Sequence, residues 1–334
     1  MTNVFESMRL YSSRLVRAAA VVVLLSLSLP AAAQQEIGVD IYQGQAAGTI
    51  RIAIPFPDMG PRIVPDQIHR PFFTPLTGDL AYSEIFTIVP LPPSTPPSIE
   101  TAQKSGAQAF LKLSVTRDGS DYVIEARLYD VNSRTIHMGR RYRGNDAALT
   151  RIAHTIANDL VLFFNGRPGV FLSQIVFVSG RSGSKELYLM DYDGSNQRRV
   201  TFHNSLTLTP DWSPDGDRIV YTSFSRGTSD LYLMHRQGGG RVRLETGVGL
   251  NVSPAFSPDG KTIAFVGSVD GNPDIYVINV DGSSLRRLTT ASSIESTPAW
   301  SPTGRQIAFT SSRSGSPQIY LMDAEGTNVR RIRS

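Results

Sequence analysis

The sequence has no cysteine, two tryptophans and one long apolar run in its 334 residues. Without cysteine the chain can form neither disulfide bonds nor a cysteine-linked lipid anchor, so packing and strand pairing must hold the fold together. The apolar run covers residues 18–29, about 12 residues, whereas a helix that spans a bilayer needs roughly 20. We therefore expect no membrane-spanning segment, and any membrane association to be peripheral and through partners only.

The first 33 residues have the pattern of an export signal. Three arginines precede the apolar run and three alanines follow it: Arg9, Arg14, Arg17, Ala31, Ala32 and Ala33. A basic segment, a short apolar segment and small residues at a cleavage site are typical of secreted precursors. We expect cleavage after about Ala33.

Charge gives no sign of a nucleic-acid partner. The net charge is +4, of which the first 33 residues contribute three arginines and one glutamate, so the remaining chain carries +2. No stretch interleaves basic and aromatic side chains as a groove that binds nucleic-acid strands requires. We therefore expect no nucleic-acid partner.

A repeat of 44 residues dominates the second half of the chain. It is marked by four tyrosines in apolar triplets, by three aromatic residues that each precede Ser-Pro, and by four arginines: Tyr188, Tyr232, Tyr276, Tyr320; Trp212, Phe256, Trp300; Arg199, Arg243, Arg287, Arg331. A fixed period of this length indicates an array of one supersecondary unit.

Each repeat unit predicts four short strands separated by tight turns. In the third unit the predicted strands are residues 253–258, 262–266, 274–280 and 285–289, and Asp-Gly pairs supply the turns. Four antiparallel strands per unit form a propeller blade. We interpret the repeated aromatic residues as packing between blades, Asp215 and Asp259 as turn residues, and the repeated arginines as surface cations that protect strand edges.

The first half of the chain predicts a small α/β domain with a mixed sheet. Residues 107–116 and 122–129 read as strands joined by a hairpin at Asp118-Gly119, and residues 49–56 form another β-rich run. Residues 146–164 have helical spacing with Asp146 at the N-cap position, residues 98–105 predict a second helix, and the prolines between residues 63 and 85 would break a long helix. We place the domains at residues 34–165 and 166–334.

No set of residues points to catalysis. The sequence has no Gly-x-Ser-x-Gly elbow, no His-Glu-x-x-His and no phosphate-binding loop. The five histidines lack ligand spacing, and we interpret His154 as a packing or capping residue. We expect no enzyme activity, no catalytic residue, no metal site and no cofactor.

The repeat resembles that of the TolB family. The resemblance rests on Pro-x-Trp-Ser-Pro-Asp-Gly at residues 210–216, Ile-Ala-Phe at residues 307–309, and Asp-Ile-Tyr followed by Asp-Gly and Arg-Arg-Leu-Thr within residues 274–289. The export signal, the α/β domain before the repeats and the segment at residues 36–41 make the resemblance to the TolB family more specific. The implied fold is a small α/β domain followed by an all-β propeller of the TolB/PD40 type.

The resemblance implies a periplasmic, non-enzymatic interaction scaffold of the Tol-Pal system, which supports outer-membrane integrity during cell division. Its implied partners are the lipoprotein Pal, at one mouth of the propeller, and TolA, which binds an N-terminal segment. The implied Pal-side loops are Thr207, Leu208, Thr209, Leu250, Asn251, Val252, Ser253, Ser296 and Thr297. The implied TolA-side segment is Glu36, Ile37, Gly38, Val39, Asp40 and Ile41.

Counting repeats predicts an incomplete propeller. The family resembles six-bladed rings, whereas this chain has four repeats, the first without its opening strand, because Pro168 lies 44 residues before Trp212. We therefore expect about four of six blades in an open arc. Two alternative functions remain: the propeller portion of a prolyl-oligopeptidase-type serine hydrolase without its catalytic domain, and a propeller that binds glycans or peptidoglycan.

Overall fold

The computed structural model describes residues 49–93 and 96–332, and residues from Thr49 onward form one unit. This unit begins with a mixed sheet, continues through a helix that packs on the sheet domain, and ends in a series of antiparallel sheets. Within the described residues, no helix is long and apolar enough to cross a membrane.

The N-terminal domain has a six-stranded sheet. Its strands are Ile50–Ala53 (β1), Asp58–Met59 (β2), Phe86–Val89 (β3), Ala109–Asp118 (β4), Asp121–Asp130 (β5) and Ile136–Gly144 (β6). Their order is β3-β1-β4-β5-β6, with β2 beside β4. Strand β1 pairs in parallel with β3 and β4, and β4, β5 and β6 pair antiparallel. The predicted hairpin is confirmed, because Asp118 pairs with Asp121 and Gly119 has a positive φ of 64°.

Prolines and capping residues in the sequence account for the helices of this domain, except at the start of the last helix. They are Asp66–Ile68 (α1), Thr74–Tyr82 (α2), Ile99–Lys104 (α3) and Leu149–Asn165 (α4), with a π turn at His69–Phe73 and a 3-10 turn at Asp146–Ala148. The prolines shape the first run, since Pro71 lies in the π turn and Pro75 lies in the first turn of α2. Ser98 and Thr101 form a reciprocal cap on α3.

The predicted N-cap of α4 was wrong. This helix begins at Leu149, and its N-cap residue Ala148 offers no side-chain hydrogen bond. Asp146 lies in the preceding 3-10 turn and its carboxylate is 3.6 Å from the guanidinium of Arg117. Because Ala148 rather than Asp146 is the N-cap residue of α4, the Asp146 carboxylate does not cap the helix and pairs with Arg117 of β4 instead.

The predicted blade count is confirmed for the residues that the structure describes, where one three-stranded sheet is followed by three four-stranded sheets. Blade one is Gln174–Ser182 (β7), Ser184–Asp191 (β8) and Arg198–Arg199 (β9). Blade two is Thr207–Trp212 (β10), Arg218–Ser223 (β11), Asp230–His235 (β12) and Val242–Arg243 (β13). Blade three is Leu250–Phe256 (β14), Thr262–Ser268 (β15), Asp274–Asn279 (β16) and Arg286–Arg287 (β17), and blade four is Glu295–Trp300 (β18), Gln306–Ser311 (β19), Gln318–Asp323 (β20) and Arg330–Arg331 (β21).

Apolar clusters join each blade to the next in chain order. Between blades three and four, Val266, Ile275 and Val277 pack against Phe309 and Tyr320. The predicted packing role is confirmed for the three repeated aromatic residues before Ser-Pro and for three of the tyrosines: Trp212, Phe256, Trp300, Tyr232, Tyr276 and Tyr320. The remaining repeated tyrosine, Tyr188 of blade one, packs on Phe177 under the guanidinium group of Arg181.

The repeated arginines are not merely surface cations. Arg199, Arg243 and Arg287 lie in the last strand of blades one, two and three, and each forms an ion pair with a buried acid in the preceding strand of the same blade. These acids are Glu186, Asp230 and Asp274. The two strands pair side by side, so the guanidinium group reaches the carboxylate within the blade. In blade four, Gln318 takes the place of the acid and Arg331 is exposed.

The predicted role of Asp215 and Asp259 as turn residues is confirmed. In each turn an aspartate Oδ1 accepts a hydrogen bond from the backbone N–H two residues later, at 3.0 Å in Asp215 and 3.1 Å in Asp259. The preceding serine hydroxyl also donates to the same carboxylate. The carboxylates therefore stabilise the Ser-Pro-Asp-Gly turns locally.

The N-terminal domain meets blade one at a polar cluster, which we call the junction. It consists of buried Asp79 and His154, half-buried Tyr192 and exposed Asp193. His154 and Asp79 are 4% and 2% exposed, and His154 Nδ1 lies 2.7 Å from Asp79 Oδ2. The Tyr192 hydroxyl donates to the other Asp79 oxygen. Burial alone would lower the pKa of His154, but the hydrogen bond to Asp79 and the charges of Asp79 and Asp193 raise it.

Candidate partner-docking surface

The first strands of blades two, three and four share an unusual backbone feature. In each, pairing with the second strand shifts register at a bulge, between Leu208 and Asp211 in blade two and at the equivalent positions of the other blades. The bulge residues Thr209, Ser253 and Thr297 have positive φ values of 45°, 53° and 49°. A left-handed conformation is unfavourable for residues other than glycine, and most unfavourable for a β-branched residue such as threonine.

Proline explains why the bulge recurs. Each bulge residue is followed by Pro210, Pro254 or Pro298. Proline has no N–H to donate to a neighbouring strand, so the ladder is interrupted where the bulge forms. Strained backbone of this kind is over-represented at functional sites, where surrounding structure maintains it.

The predicted Pal-side positions are not loops, and that part of the prediction was wrong. They belong to strands β10, β14 and β18. Antiparallel pairing resumes on the N-terminal side of each bulge, where Thr207 pairs with Ser223 and Leu250 pairs with Ser268. Strand β14 therefore begins three residues before the start predicted for it, at Leu250 rather than at Ser253.

The three bulges surround one depression of about 470 Å³, which we call the bulge surface. Among the predicted residues, only Thr209, Ser253 and Thr297 line it. Its other lining residues are Pro210, Asp211, Pro254, Ala255, Phe256, Pro258, Pro298, Ala299 and Trp300. The structure thus brings together one predicted residue from each of three blades.

The remaining predicted positions have structural roles or lie beside the bulge surface. Thr207 is fully buried, and Asn251, which is 3% exposed, hydrogen bonds to the Ser229 carbonyl and the Thr246 hydroxyl. Leu250 and Val252 pack on the cluster between blades three and four. Leu208 and Ser296 are half-buried and do not line the depression.

The missed residues carry a sequence signal of their own. Pro210, Pro254 and Pro298 are 44 residues apart and precede the repeated aromatic residues by two positions. The repeat motif therefore contained them, but a proline in a strand pattern reads as the end of the strand. The bulge, which allows the strand to continue, depends on pairing with a partner strand that sequence spacing does not reveal.

Among the described residues that line the bulge surface, Asp211 alone is charged. Its Oδ2 accepts a hydrogen bond of 2.7 Å from the backbone N–H of Phe256, which joins blade two to blade three. Burial raises the pKa of this carboxyl, and backbone hydrogen bonds from Phe256 and Trp212 oppose the rise only in part. Blades three and four have Ala255 and Ala299 at this position.

Trp300 forms a hydrogen bond between blades three and four. Its indole Nε1 donates a hydrogen bond of 3.2 Å to the Ala255 carbonyl of blade three. The floor of the bulge surface is therefore held by cross-blade hydrogen bonds and proline rings. A rigid, largely apolar depression of this size suits docking of another protein, because little conformational entropy is lost on binding.

The predicted TolA-side segment, residues 36–41, lies outside the described residues.

No cluster of three or more histidine or acidic side chains that could hold a metal ion occurs in the part of the chain that the structure describes.

The geometry of the repeats agrees with a known propeller family. The family model of the TolB β-propeller domain (PD40) matches residues 163–334, which is more than half of the chain. The chain belongs to the TolB β-propeller family. The TolB match begins within α4, just before the first blade, and ends with the last residue of the chain.

Relatives named TolB are similar to parts of the chain. A Tol-Pal system protein TolB from Geobacter sulfurreducens is 36% identical over 149 residues, which cover 42% of this chain and 34% of that protein. The protein of the same name from Cereibacter sphaeroides is 35% identical over 220 residues, which cover 60% of this chain and 48% of that protein. The chain thus matches less than half the length of either TolB relative.

The solved structure of TolB from Acinetobacter baumannii is similar in fold, with a TM-score of 0.70 and 25% sequence identity. The superposition covers 86% of this chain and 72% of that chain. The predicted fold class, an α/β domain followed by a TolB-type propeller, is confirmed.

Proposed function

We propose that this protein is a periplasmic, non-enzymatic interaction scaffold of the Tol-Pal system, which binds Pal through the bulge surface and TolA through residues 36–41. In this role it supports outer-membrane integrity during cell division. The proposal is supported by membership in the TolB family and by relatives whose names place them in the Tol-Pal system.

The recurrence of the bulge carries the Pal part of the proposal. Three blades hold a non-glycine residue with positive φ at the same repeat position, and all three residues line one depression. The residues at the bulges also take part in contacts between blades, through Asp211 and the Ala255 carbonyl. Strained backbone clusters at functional sites, so its recurrence at one surface supports a role in recognition.

The chemistry of the bulge surface suits a protein partner rather than a small polar substrate. Proline, alanine and aromatic groups form most of its wall. Threonine and serine hydroxyls at the three bulges supply hydrogen-bonding groups around this apolar floor. An apolar centre with a polar rim is the common arrangement at protein interfaces.

Substitution at one bulge tests the Pal part of the proposal. Thr297→Arg places a large cation at an exposed rim position, and we expect it to weaken Pal binding at least tenfold, or about 1.4 kcal/mol. The matched control is Thr228→Arg, at an exposed turn outside the bulge surface. Titration calorimetry with purified Pal and each folded variant measures the effect, and equal affinity of both variants would contradict the proposal.

The TolA part rests on the family resemblance of residues 36–41 alone. We expect a variant without these six residues to lose binding to purified TolA and to keep its affinity for Pal. Retained TolA binding would exclude this segment as the contact, while loss of Pal binding would show that the two partners share a surface.

A further inference from the structure

A cleft of about 330 Å³ lies where the N-terminal domain meets the propeller, away from the bulge surface. Helix α4 forms one wall, and the turns after β8 and β12 form the other. We call it the junction cleft. Its lining is mainly polar, and the repeat motif, the family resemblance and the proposed docking surface assign it no role.

We propose that the junction cleft binds an oxyanion, the carboxylate or phosphate group of a small ligand, through His154 and the guanidinium groups of Arg151, Arg198 and Arg236. A volume of this size accommodates a small molecule. The site is independent of the bulge surface, and its failure would leave the proposed docking function untouched.

His154 supplies the strongest observation. It lines the cleft, it is 4% exposed, and its Nδ1 is already bonded to Asp79. Its Nε2 is buried and makes no hydrogen bond to any described residue. Asp193 Oδ2 is 3.6 Å away, beyond hydrogen-bond distance. Buried polar atoms are nearly always hydrogen bonded, so an unpartnered ring nitrogen beside a cleft points to a missing partner. In the protonated imidazolium both ring nitrogens are donors, and Nε2 can then donate to an anion.

The three arginines provide the charge. Across residues 49–93 and 96–332, no carboxylate oxygen lies within 4.0 Å of the guanidinium group of Arg151, Arg198 or Arg236. Arg198 donates only to backbone carbonyls, those of Gln237 and Arg236, at 3.4 and 3.3 Å. Arg199, the neighbour of Arg198, differs because it pairs with buried Glu186.

The acidic residue that lines the cleft is already engaged. Asp191 accepts hydrogen bonds from Gln174 Nε2 at 3.1 Å and from Asn196 Nδ2 at 2.6 Å. Its carboxylate oxygens are therefore occupied by these amides, while the three arginines line the same cleft. The start of α4, at Leu149, adds the positive end of a 17-residue helix on the same side. An acceptor with delocalised negative charge satisfies this set of donors.

Anion titration tests the site in the full chain. We expect either inorganic phosphate or succinate to bind saturably, with one ligand per chain, in calorimetry at constant ionic strength. Arg151→Ala should weaken that binding about tenfold, as expected for a charge-assisted contact. The matched control is Arg226→Ala, which removes the same charge from an exposed turn outside the cleft, and we expect less than a twofold change.

A nitrogen NMR signal from His154 provides a second measurement that does not depend on a variant's folding. We expect its Nε2 resonance to move on titration with the anion that binds. Binding of phosphate alone would assign a phosphate ligand, and binding of succinate alone a carboxylate ligand. The proposal is wrong if neither anion saturates, if the two arginine variants weaken binding equally, or if the Nε2 resonance stays unchanged.

Discussion

The blades pack on one another through apolar side chains, whereas the first blade meets the N-terminal domain through a buried ionisable pair. Between blades three and four, residues such as Ile275 and Ile307 are fully buried among other apolar groups. At the junction, buried Asp79 contacts buried His154 and the hydroxyl of half-buried Tyr192. The two interfaces belong to one folded unit but use different chemistry.

This difference predicts how each interface contributes to stability. Apolar burial is favourable roughly in proportion to area and tolerates small shifts. A buried ion pair loses hydration and regains that energy only in one geometry, so its net contribution is small although removal of one partner is costly. The blade interfaces should therefore dominate stability, while the junction should fix the orientation of the first blade and respond to pH.

The largest effect should come from the blade interface. Ile275→Ala removes a fully buried side chain between blades three and four, and we expect it to lower the free energy of unfolding by about 3 kcal/mol. Ile319→Ala is the matched control, because Ile319 is at the same repeat position in blade four and is 53% exposed. Its loss should stay below about 1 kcal/mol, as measured by urea denaturation. Equal losses of stability in the two variants would show that Ile319, like Ile275, is covered by other residues.

The junction should give the next largest effect. Asp79→Asn removes the acceptor charge shared by His154 and Tyr192, and we expect a loss of about 2 kcal/mol because two buried groups lose a charged partner. Hydrogen exchange should accelerate in α4 more than in blades three and four. Asp193→Asn keeps the acceptor for the Ser195 N–H and should change stability by less than about 0.5 kcal/mol. If the control variant is equally destabilised, Asp79 has no special role.

The pH dependence separates the two interfaces further. Because the folded-state pKa of His154 is raised, its stabilising contribution is present below the ordinary histidine pKa of about 6.5 and is lost as pH rises through the raised value. His203 has the opposite sign, since burial lowers its pKa. Comparing urea denaturation of the parent and His154→Gln at pH 6 and pH 8.5 isolates the junction. The parent should lose more stability than the variant, and parallel losses would refute the assignment.

The smallest effect should come from the exposed rim between blades three and four. Arg286 and Glu325 form an ion pair of 2.7 Å there, with side chains 49% and 70% exposed. Glu325→Gln should lower the free energy of unfolding by less than about 0.5 kcal/mol, and the difference should vanish in 1 M salt. A loss as large as that of Asp79→Asn would show that the rim, like the junction, depends on charge.

The repeat made most of the propeller predictable. Blade number, the missing first strand of blade one and the aromatic packing positions follow from a spacing of 44 residues, because each blade forms from contacts within one repeat and with its neighbour. The strand boundaries at the proposed docking positions were less predictable. Thr209, Ser253 and Thr297 line the bulge surface, but the strand boundaries around them depend on the bulge.

Two features could not be predicted from the 44-residue spacing of the repeats. The pairing of Arg199, Arg243 and Arg287 with buried acids joins residues 13 positions apart on adjacent strands. The repeat pattern by itself indicates only surface cations at these positions. The junction joins Asp79 to His154 and Tyr192, which are 75 and 113 residues away along the chain. Nothing in the local sequence of either partner indicates the other.

The amino-acid sequence alone therefore determined the blade, its repetition and its packing residues, because turn chemistry, strand alternation and apolar periodicity act over short distances. Only the tertiary structure decided where Pro254 interrupts the strand ladder, which acids neutralise the arginines, and how the first blade joins the α/β domain. Those features arise from contacts between residues distant in the chain, where the hydrogen-bond partner and the degree of burial are set by the whole fold.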